Sequence, residues 1–267
     1  MEILRTKYSP LYKNLNTIPE LPNDFPKCYS NFSLKKAFYF ANIAKKNGRH
    51  LLIVGKEGSG VTQISKWISW YFTPEEKGKE NFLFIFSPEI TISDMIGKFT
   101  PKSDTIDSSS GIFKWRHGPL TLAVKEGYSG VFDNISLAPV KVIESLNALL
   151  DPNKDTEEDY YFEIPQNTEE PRIKIHHDFL FVATCTLEQM DKLSPAFLNR
   201  FTVIYLEDQL EGASEKEEKE AIKYIIESEN VKLIKKDTIV EEIYKVYKEK
   251  KLNMFNLQKS KLVFCLN

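Results

Sequence analysis

The chain has few cysteines and no excess of charge of one sign. Cys28, Cys185 and Cys265 are far apart and show no CxxC spacing, so the sequence supports neither a disulfide framework nor a zinc site. The formal net charge is -2, which removes any bulk electrostatic argument for a nucleic-acid partner. We therefore predict no direct nucleic-acid binding, and the cysteine usage fits a reducing compartment.

Long apolar runs are also missing. The first residues, MEILRTKYSPLYKNL, contain no apolar stretch long enough for a signal peptide, and no later stretch approaches the length of a membrane span. We expect an intracellular protein that does not enter a membrane. Its 267 residues are enough for one large domain, or for a domain with a small appendage.

The order of apolar and polar segments predicts an α/β fold. Residues 1–32 contain Pro10, Pro19, Pro22 and Pro26, and we predict an extended arm there. Five short apolar runs follow, with helical periodicity in most of the segments between them; they are residues 50–54, 82–86, 128–132, 179–184 and 203–206. This alternation predicts a five-stranded parallel sheet flanked by helices.

Three further segments have their own character. Residues 100–111 are a polar insertion, and YYFEIP and PRIKI predict a hairpin. Beyond Glu207 the chain becomes charged with helical periodicity, which predicts a partial helical lid over residues 208–267. The predicted organisation is thus an arm (1–32), an α/β core (33–207) and a lid (208–267).

The stretch LLIVGKEGSGVTQISKW contains a glycine loop between a strand and a helix. The phosphate-binding pattern GxxxxGK[ST] places Gly55, Gly60 and Thr62 in register, but Val61 stands at the lysine position. In such a loop the backbone N–H groups and the helix N-terminus surround phosphates, and the hydroxyl ligates magnesium. Losing the lysine contact, worth roughly 1.5 to 3 kcal/mol, weakens binding without abolishing it. A glycine turn without any ligand is the alternative interpretation.

The stretch GYSGVFDN is an apolar strand that ends in a carboxylate. Asp133 is expected at the C-terminal end of its strand, beside the glycine loop, where it can hold magnesium through water. The following residue, Asn134, can orient a water molecule but cannot accept its proton. A positioned general base contributes about a hundredfold to ten-thousandfold in rate, so hydrolysis should be impaired. A capping role for Asp133 is the alternative.

Four motifs together resemble one family. GYSGVFDNISLAPVKVIESLNALLDP is similar to the segment around the magnesium-binding strand of the dynein-related AAA+ ATPases, and most closely to the tandem modules of midasin. KWRHGPLTLAVKEG resembles the preceding helix, and FLFVATCT followed by LSPAFLNRF resembles the sensor strand and the arginine-finger segment. The resemblance covers roughly residues 33–206 and implies a P-loop AAA+ core with ATP and Mg²⁺ as cofactors.

The resemblance also implies roles for individual residues. The nucleotide loop would comprise Gly55, Glu57, Gly58, Ser59, Gly60, Val61, Thr62 and Gln63, with Thr62 and Asp133 as the metal-binding pair. Asn134 occupies the position of the catalytic glutamate, Thr186 that of the sensor asparagine, and Arg200 that of the arginine finger. Departures at Val61, Asn134 and Thr186 together suggest a module that no longer turns over ATP.

Two functional classes follow from this resemblance. In the first, the chain is an ATPase module whose hydrolysis is slow, within a ring of AAA+ modules that remodels a large protein or ribonucleoprotein assembly, as midasin remodels pre-60S ribosomal particles. A midasin-like function would place this chain in the nucleus (nucleolus or nucleoplasm), and any other function in the family would place it in the cytoplasm. In the second, the chain is a non-hydrolysing ring member that lends Arg200 to a neighbouring module.

Overall fold

The computed structural model describes residues 32–75, 82–101, 113–151, 160–206, 215–228, 240–245 and 248. Residues 1–31 of the predicted arm, most of the polar insertion and the end of the chain lie outside the described residues. The domain limits expected near residues 32 and 207 stay predictions.

Each of the five apolar runs of the sequence coincides with a strand, and the described residues form nine strands in all. In chain order they are β1 (His50–Gly55), β2 (Leu83–Ile85), β3 (Gly97–Pro101), β4 (Phe113–His117), β5 (Ser129–Asp133), β6 (Tyr161–Glu163), β7 (Arg172–Lys174), β8 (Leu180–Thr186) and β9 (Phe201–Leu206). The α-helices are α1 (Phe32–Lys46), α2 (Val61–Phe72), α3 (Ile92–Ile96), α4 (Pro119–Glu126), α5 (Val140–Ser145), α6 (Pro195–Leu198) and α7 (Glu215–Ser228). Residues 240–245 are also helical.

The central sheet has five parallel strands in the order β2-β5-β8-β1-β9. This confirms the predicted five-stranded parallel sheet. Gly55 at the end of β1 pairs with Thr186 of β8 and with Leu206 of β9, so the C-terminal ends of these strands are level. Loops that follow these strands therefore meet at one edge of the sheet, which is where α/β proteins of this kind bind ligands.

Apolar residues cover both faces of the sheet. In β1, Leu51 and Ile53 belong to a cluster with α1 and α2, whereas Leu52 and Val54 belong to a cluster with α3, α4 and α5. All four side chains are fully buried, as expected for a strand between two helical layers. On the second face the rings of Phe132 and Phe181 stack with their centroids 3.8 Å apart, which fixes β5 against β8.

Two antiparallel hairpins are separate from the central sheet. The β6–β7 pair confirms the hairpin predicted from YYFEIP and PRIKI. The β3–β4 pair, in which Phe99 and Trp115 face each other with ring centroids 5.1 Å apart, was not predicted. The first of these strands, β3, includes Thr100 and Pro101 of the predicted polar insertion, and residues 102–111 of the insertion lie outside the described part of the chain.

Candidate functional site

The glycine loop joins the buried end of β1 to the start of α2. Gly58 and Gly60 have φ angles of 85° and 81°, a backbone region that glycine enters readily and other residues rarely do. Ser59 closes the turn, because its main-chain N–H and its hydroxyl both donate to the Lys56 carbonyl, at 3.0 and 2.7 Å. The Ser59 side chain is buried, so its hydrogen bond stabilises the loop on the side that faces the protein interior.

Main-chain donors remain free at the start of α2. No described residue accepts a hydrogen bond from the N–H groups of Gly60, Val61, Thr62 or Gln63. The first N–H groups of a helix carry a partial positive charge and bind anions when they are not capped. The arrangement is therefore suited to a phosphate group even without a lysine.

Val61 makes apolar contacts instead of supplying a charge. Its side chain is half-buried and packs against the cluster between α1, α2 and the sheet. Val61 Cγ2 lies 2.7 Å from the point that a Cβ atom on Gly55 would occupy, so it lies directly on the backbone at the end of β1. Among the loop residues, Lys56 and Glu57 are the exposed charged side chains.

The structure brings Thr62 and Asp133 together, as predicted. Thr62 Oγ1 lies 2.9 Å from Asp133 Oδ1 and donates a hydrogen bond to it. Asp133 ends β5 and is only 6% exposed. A buried carboxylate needs polar partners, and here it has a second one that the sequence interpretation missed: Thr184 Oγ1 donates to the same oxygen at 2.6 Å.

Asn134 adopts an unusual backbone conformation beside this carboxylate. Its φ of 57° lies in the left-handed region, where asparagine is one of the few residues other than glycine that occur with any frequency. Its main-chain N–H donates to Thr184 Oγ1 at 2.9 Å. The short helix Ile135–Leu137 follows, and within it Ser136 donates to the side chain of Gln189 at 2.7 Å.

Thr186 lies at the end of β8, level with Gly55 at the beginning of the loop. Its side chain is half-buried, and its carbonyl accepts a hydrogen bond from the Cys185 thiol at 3.1 Å. Burial raises the pKa of that thiol, so Cys185 stays protonated near neutral pH and is a poor nucleophile. The position of Thr186 agrees with the predicted sensor position; its role stays a prediction.

Arg200 is held by main-chain carbonyls at the end of α6. Its Nε donates to the Asn147 carbonyl at 3.0 Å, and a second guanidinium nitrogen donates to the Ala196 carbonyl. The side chain is half-buried. The described contacts attach Arg200 to the segment after α5, and no described contact joins it to Asp133 or to the loop.

Comparison with known proteins decides the family. A model of the AAA domain of the dynein-related subfamily matches residues 50–201, from the first residue of β1 to the first residue of β9. The chain belongs to the dynein-related AAA family. The match covers the strand, loop and helix that form the candidate site.

Two curated relatives of this AAA domain are midasins. Midasin from Dictyostelium discoideum is 27% identical over 201 residues, and midasin from Giardia intestinalis is 27% identical over 162 residues. The matches cover 72% and 59% of this chain but only 3% of each midasin. The AAA domain therefore corresponds to a small part of these much longer proteins.

Solved structures support the fold. NtrX from Brucella abortus in complex with ADP superposes with a TM-score of 0.53 at 13% identity, covering 100% of this chain and 55% of that chain. At this level of identity the similarity shows the fold of the AAA domain and nothing more specific. No helix among the described residues is both long and apolar enough to cross a membrane.

The residues of the AAA domain fit a magnesium ion. Hydroxyl and carboxylate oxygens are ligands that Mg²⁺ accepts, and Thr62 and Asp133 supply one of each within 2.9 Å. Because Thr62 donates its proton to Asp133, the lone pairs of the hydroxyl oxygen remain available to a cation. Within the described part of the chain, Oδ2 of Asp133 accepts no hydrogen bond, so this oxygen can also face the ion or a water bound to it.

Two cavities of the described residues lie elsewhere. One of about 590 Å³ is lined by charged residues of α7 and by Val240 and Glu241. The other, of about 480 Å³, is lined by residues of α4 and β7 and by His176 and His177. These histidines precede β8, so they lie at the edge of the sheet opposite to the loop. Both cavities are separate from the candidate site.

Proposed function

We propose that this chain is a nucleotide-binding AAA module that binds ATP or ADP with Mg²⁺ and hydrolyses ATP slowly or not at all. The observation that carries the proposal is the contact between Thr62 and Asp133 beside uncapped N–H groups at the start of α2. These groups supply a phosphate site and a cation site next to each other. The family membership supports binding, since AAA domains are nucleotide-binding modules.

The residues at two positions account for the impaired hydrolysis in this proposal. Val61 packs on Gly55 and the apolar cluster, so no lysine reaches the outer phosphate from that position. Asn134 stands next to the cation site with a side chain that cannot accept a proton from water. The first change weakens affinity by about one to two powers of ten, and the second removes a contribution of about a hundredfold or more in rate.

In the cell we propose that the module is one member of a ring of AAA modules. The curated relatives are midasins of which this chain matches a small part, and the resemblance implies a role in ATP-driven remodelling of pre-60S ribosomal particles. Arg200 would then complete the site of a neighbouring module, because an arginine can stabilise transition-state charge on a nucleotide that another subunit holds.

A purely structural ring member is the second candidate. The carbonyls of Asn147 and Ala196 already hold the guanidinium of Arg200, so this side chain is ordered without any nucleotide of its own. Such a module keeps its place in the ring and lends Arg200, whether or not its own loop is occupied. This candidate differs from the first in a single measurable property, the affinity of the isolated chain for nucleotide.

The experiment compares the wild type with the double variant Val61→Lys, Asn134→Glu. Phosphate release and nucleotide affinity are measured for both, with Asp133→Ala as the control that removes the cation ligand from either background. The proposal expects measurable binding and negligible turnover in the wild type, and tighter binding with turnover in the double variant. Rapid turnover by the wild type would refute impaired hydrolysis, and absence of binding in both would favour the structural ring member.

A further inference from the structure

Thr184 lies in the middle of a buried apolar strand, where a hydroxyl has a cost. Its side chain is 1% exposed and its neighbours in β8 are Ala183 and Cys185, both buried. Burying a hydroxyl without hydrogen bonds costs free energy, and valine is the residue of the same shape that would avoid it. Thr184 is not under-bonded, however, because its oxygen both donates and accepts.

Both hydrogen bonds of Thr184 go to the same short segment at the end of β5. Its hydroxyl donates to Asp133 Oδ1 at 2.6 Å and accepts from the Asn134 main-chain N–H at 2.9 Å. A hydroxyl bonded in this way fixes a carboxylate and the backbone of the next residue relative to each other. Among the described residues this N–H has no partner other than Thr184.

Three other buried hydroxyls of the described residues donate to main-chain carbonyls. Ser65 donates to the Val61 carbonyl, Thr73 to the Ser69 carbonyl and Thr121 to the Ile96 carbonyl. These bonds satisfy main-chain acceptors and serve local structure. Thr184 instead donates to an ionisable side chain, as Thr62 does, and bonds to charged groups are the stronger class.

The two threonines bind the same carboxylate oxygen from different elements. Thr62 approaches Oδ1 of Asp133 from α2, and Thr184 approaches it from β8. With Oδ1 engaged twice, the plane of the carboxylate is fixed. Its other oxygen, Oδ2, is then directed by this pair of bonds, and no described residue donates to it.

We propose that Thr184 is a positioning residue that holds Asp133 so that Oδ2 is presented to a divalent cation. Thr184 does not touch the cation or the nucleotide; it acts through Asp133. The inference rests on the proposed function, since the cation matters there as the partner of a bound nucleotide. It goes beyond that function because it assigns part of the Mg²⁺ dependence of nucleotide binding to Thr184, a buried residue of β8.

The test uses the whole chain in four forms: wild type, Thr184→Val, Thr184→Ser and Thr121→Val. Thr121→Val is the matched control, because it removes one hydroxyl that is equally buried and donates at 2.7 Å, but to the Ile96 carbonyl and not to Asp133. Affinity for the non-hydrolysable ATP analogue AMP-PNP is measured by calorimetry with Mg²⁺ and with EDTA. The readout is the ratio of the two affinities, which a merely structural role would not move.

We expect Thr184→Val to reduce the gain in affinity from Mg²⁺ about tenfold, because a carboxylate that Thr184 no longer holds must be ordered when the cation binds. Affinity in EDTA should be the same in all four forms, and Thr184→Ser and Thr121→Val should keep the gain. The proposal is overturned if Thr184→Val keeps the full gain, or if Thr121→Val loses it to the same extent.

Failure of the proposed function has a different signature. If the wild type binds no AMP-PNP with Mg²⁺, nucleotide binding itself is refuted, and Mn²⁺ alone then serves as the probe. Paramagnetic broadening of the Thr62 and Asn134 amide signals in the wild type, with its loss in Thr184→Val, would still support the positioning role. Equal broadening in the two forms, or none in the wild type, would overturn it.

Discussion

Thr62 Oγ1 and Asp133 Oδ1 are 2.9 Å apart although 71 residues separate them along the chain. The parallel sheet produces this contact. Gly55 and Thr186 are paired neighbours in β1 and β8, and β5 lies on the other side of β8, so the loop after β1 and the end of β5 face the same edge. The site depends on this register, because shifting β5 by one residue would turn Asp133 to the other face.

Replacing Asp133 by asparagine tests the cation site. The amide keeps the size of the side chain but loses the negative charge that attracts Mg²⁺. We expect affinity for ATP with Mg²⁺ to fall at least tenfold, while affinity in EDTA changes little. Isothermal titration calorimetry in the two buffers measures this. Equal loss in both buffers would mean that Asp133 supports the fold and not the cation.

Replacing Gly60 by alanine tests the loop conformation. Gly60 has a φ of 81°, and a residue with a side chain pays roughly 1 kcal/mol or more to adopt it. We expect lower stability in urea denaturation and a loss of nucleotide affinity that exceeds the loss in Gly48→Ala, a matched variant at a φ of 63° beyond the end of α1. Similar nucleotide affinities in the two variants would show that the loop geometry is not used for binding.

Restoring lysine at position 61 has two opposed effects. Val61 packs on the apolar cluster, so Val61→Lys should lower the free energy of unfolding by about 1 kcal/mol. The new charge should raise ATP affinity by about one power of ten or more. Val61→Met is the control, because it has a long side chain without charge. A gain in affinity with methionine would assign the effect to shape and not to charge.

Truncating Phe181 tests the packing that supports Asp133. Its ring is fully buried and stacks on Phe132, the residue before Asp133. We expect Phe181→Ala to cost about 3 to 5 kcal/mol in denaturant unfolding. Phe99→Ala, at a ring that is 41% exposed on β3, should cost much less. If the two variants unfolded at the same denaturant concentration, the assignment of the core would be wrong.

Much of this fold follows from patterns that the sequence shows directly. Apolar runs without polar alternation identified the five parallel strands, and the glycines with Thr62 and Asp133 identified the loop and the carboxylate. These sequence patterns are informative because each consists of residues close together in the chain. The loop and the carboxylate lie near each other because parallel strands bring their C-terminal ends to one edge of the sheet.

The missed features depend on contacts between distant segments. Thr184 is one polar residue inside the apolar run FLFVATCT, and only the pairing of β8 with β5 places it against Asp133. A hydroxyl in an otherwise apolar strand was the available signal. The strands β3 and β4 were missed because Lys98, Lys114 and Arg116 interrupt their apolar residues, and because the polar insertion separates them.

Helix ends were also predicted imperfectly. The pattern APVKVIESLNALLD predicts a helix through residue 151, yet α5 ends at Ser145 and turns follow. Leu146, Leu149 and Leu150 are buried nonetheless, so their periodicity reports burial rather than helical continuity. The stretch SPEITISDMIG predicts a short helix with Ser93 or Asp94 near its cap, and α3 has Thr91 as its cap with Asp94 completing a capping box from the third position.

The most direct test of the central claim is a calorimetric titration of the wild-type chain with ATP and Mg²⁺, repeated with Asp133→Ala. We predict saturable binding by the wild type, at least tenfold weakened in the variant, because the loop and the carboxylate act on one nucleotide. Absence of binding by the wild type, or equal affinity of the two proteins, would contradict the assignment of this edge of the sheet as a nucleotide site.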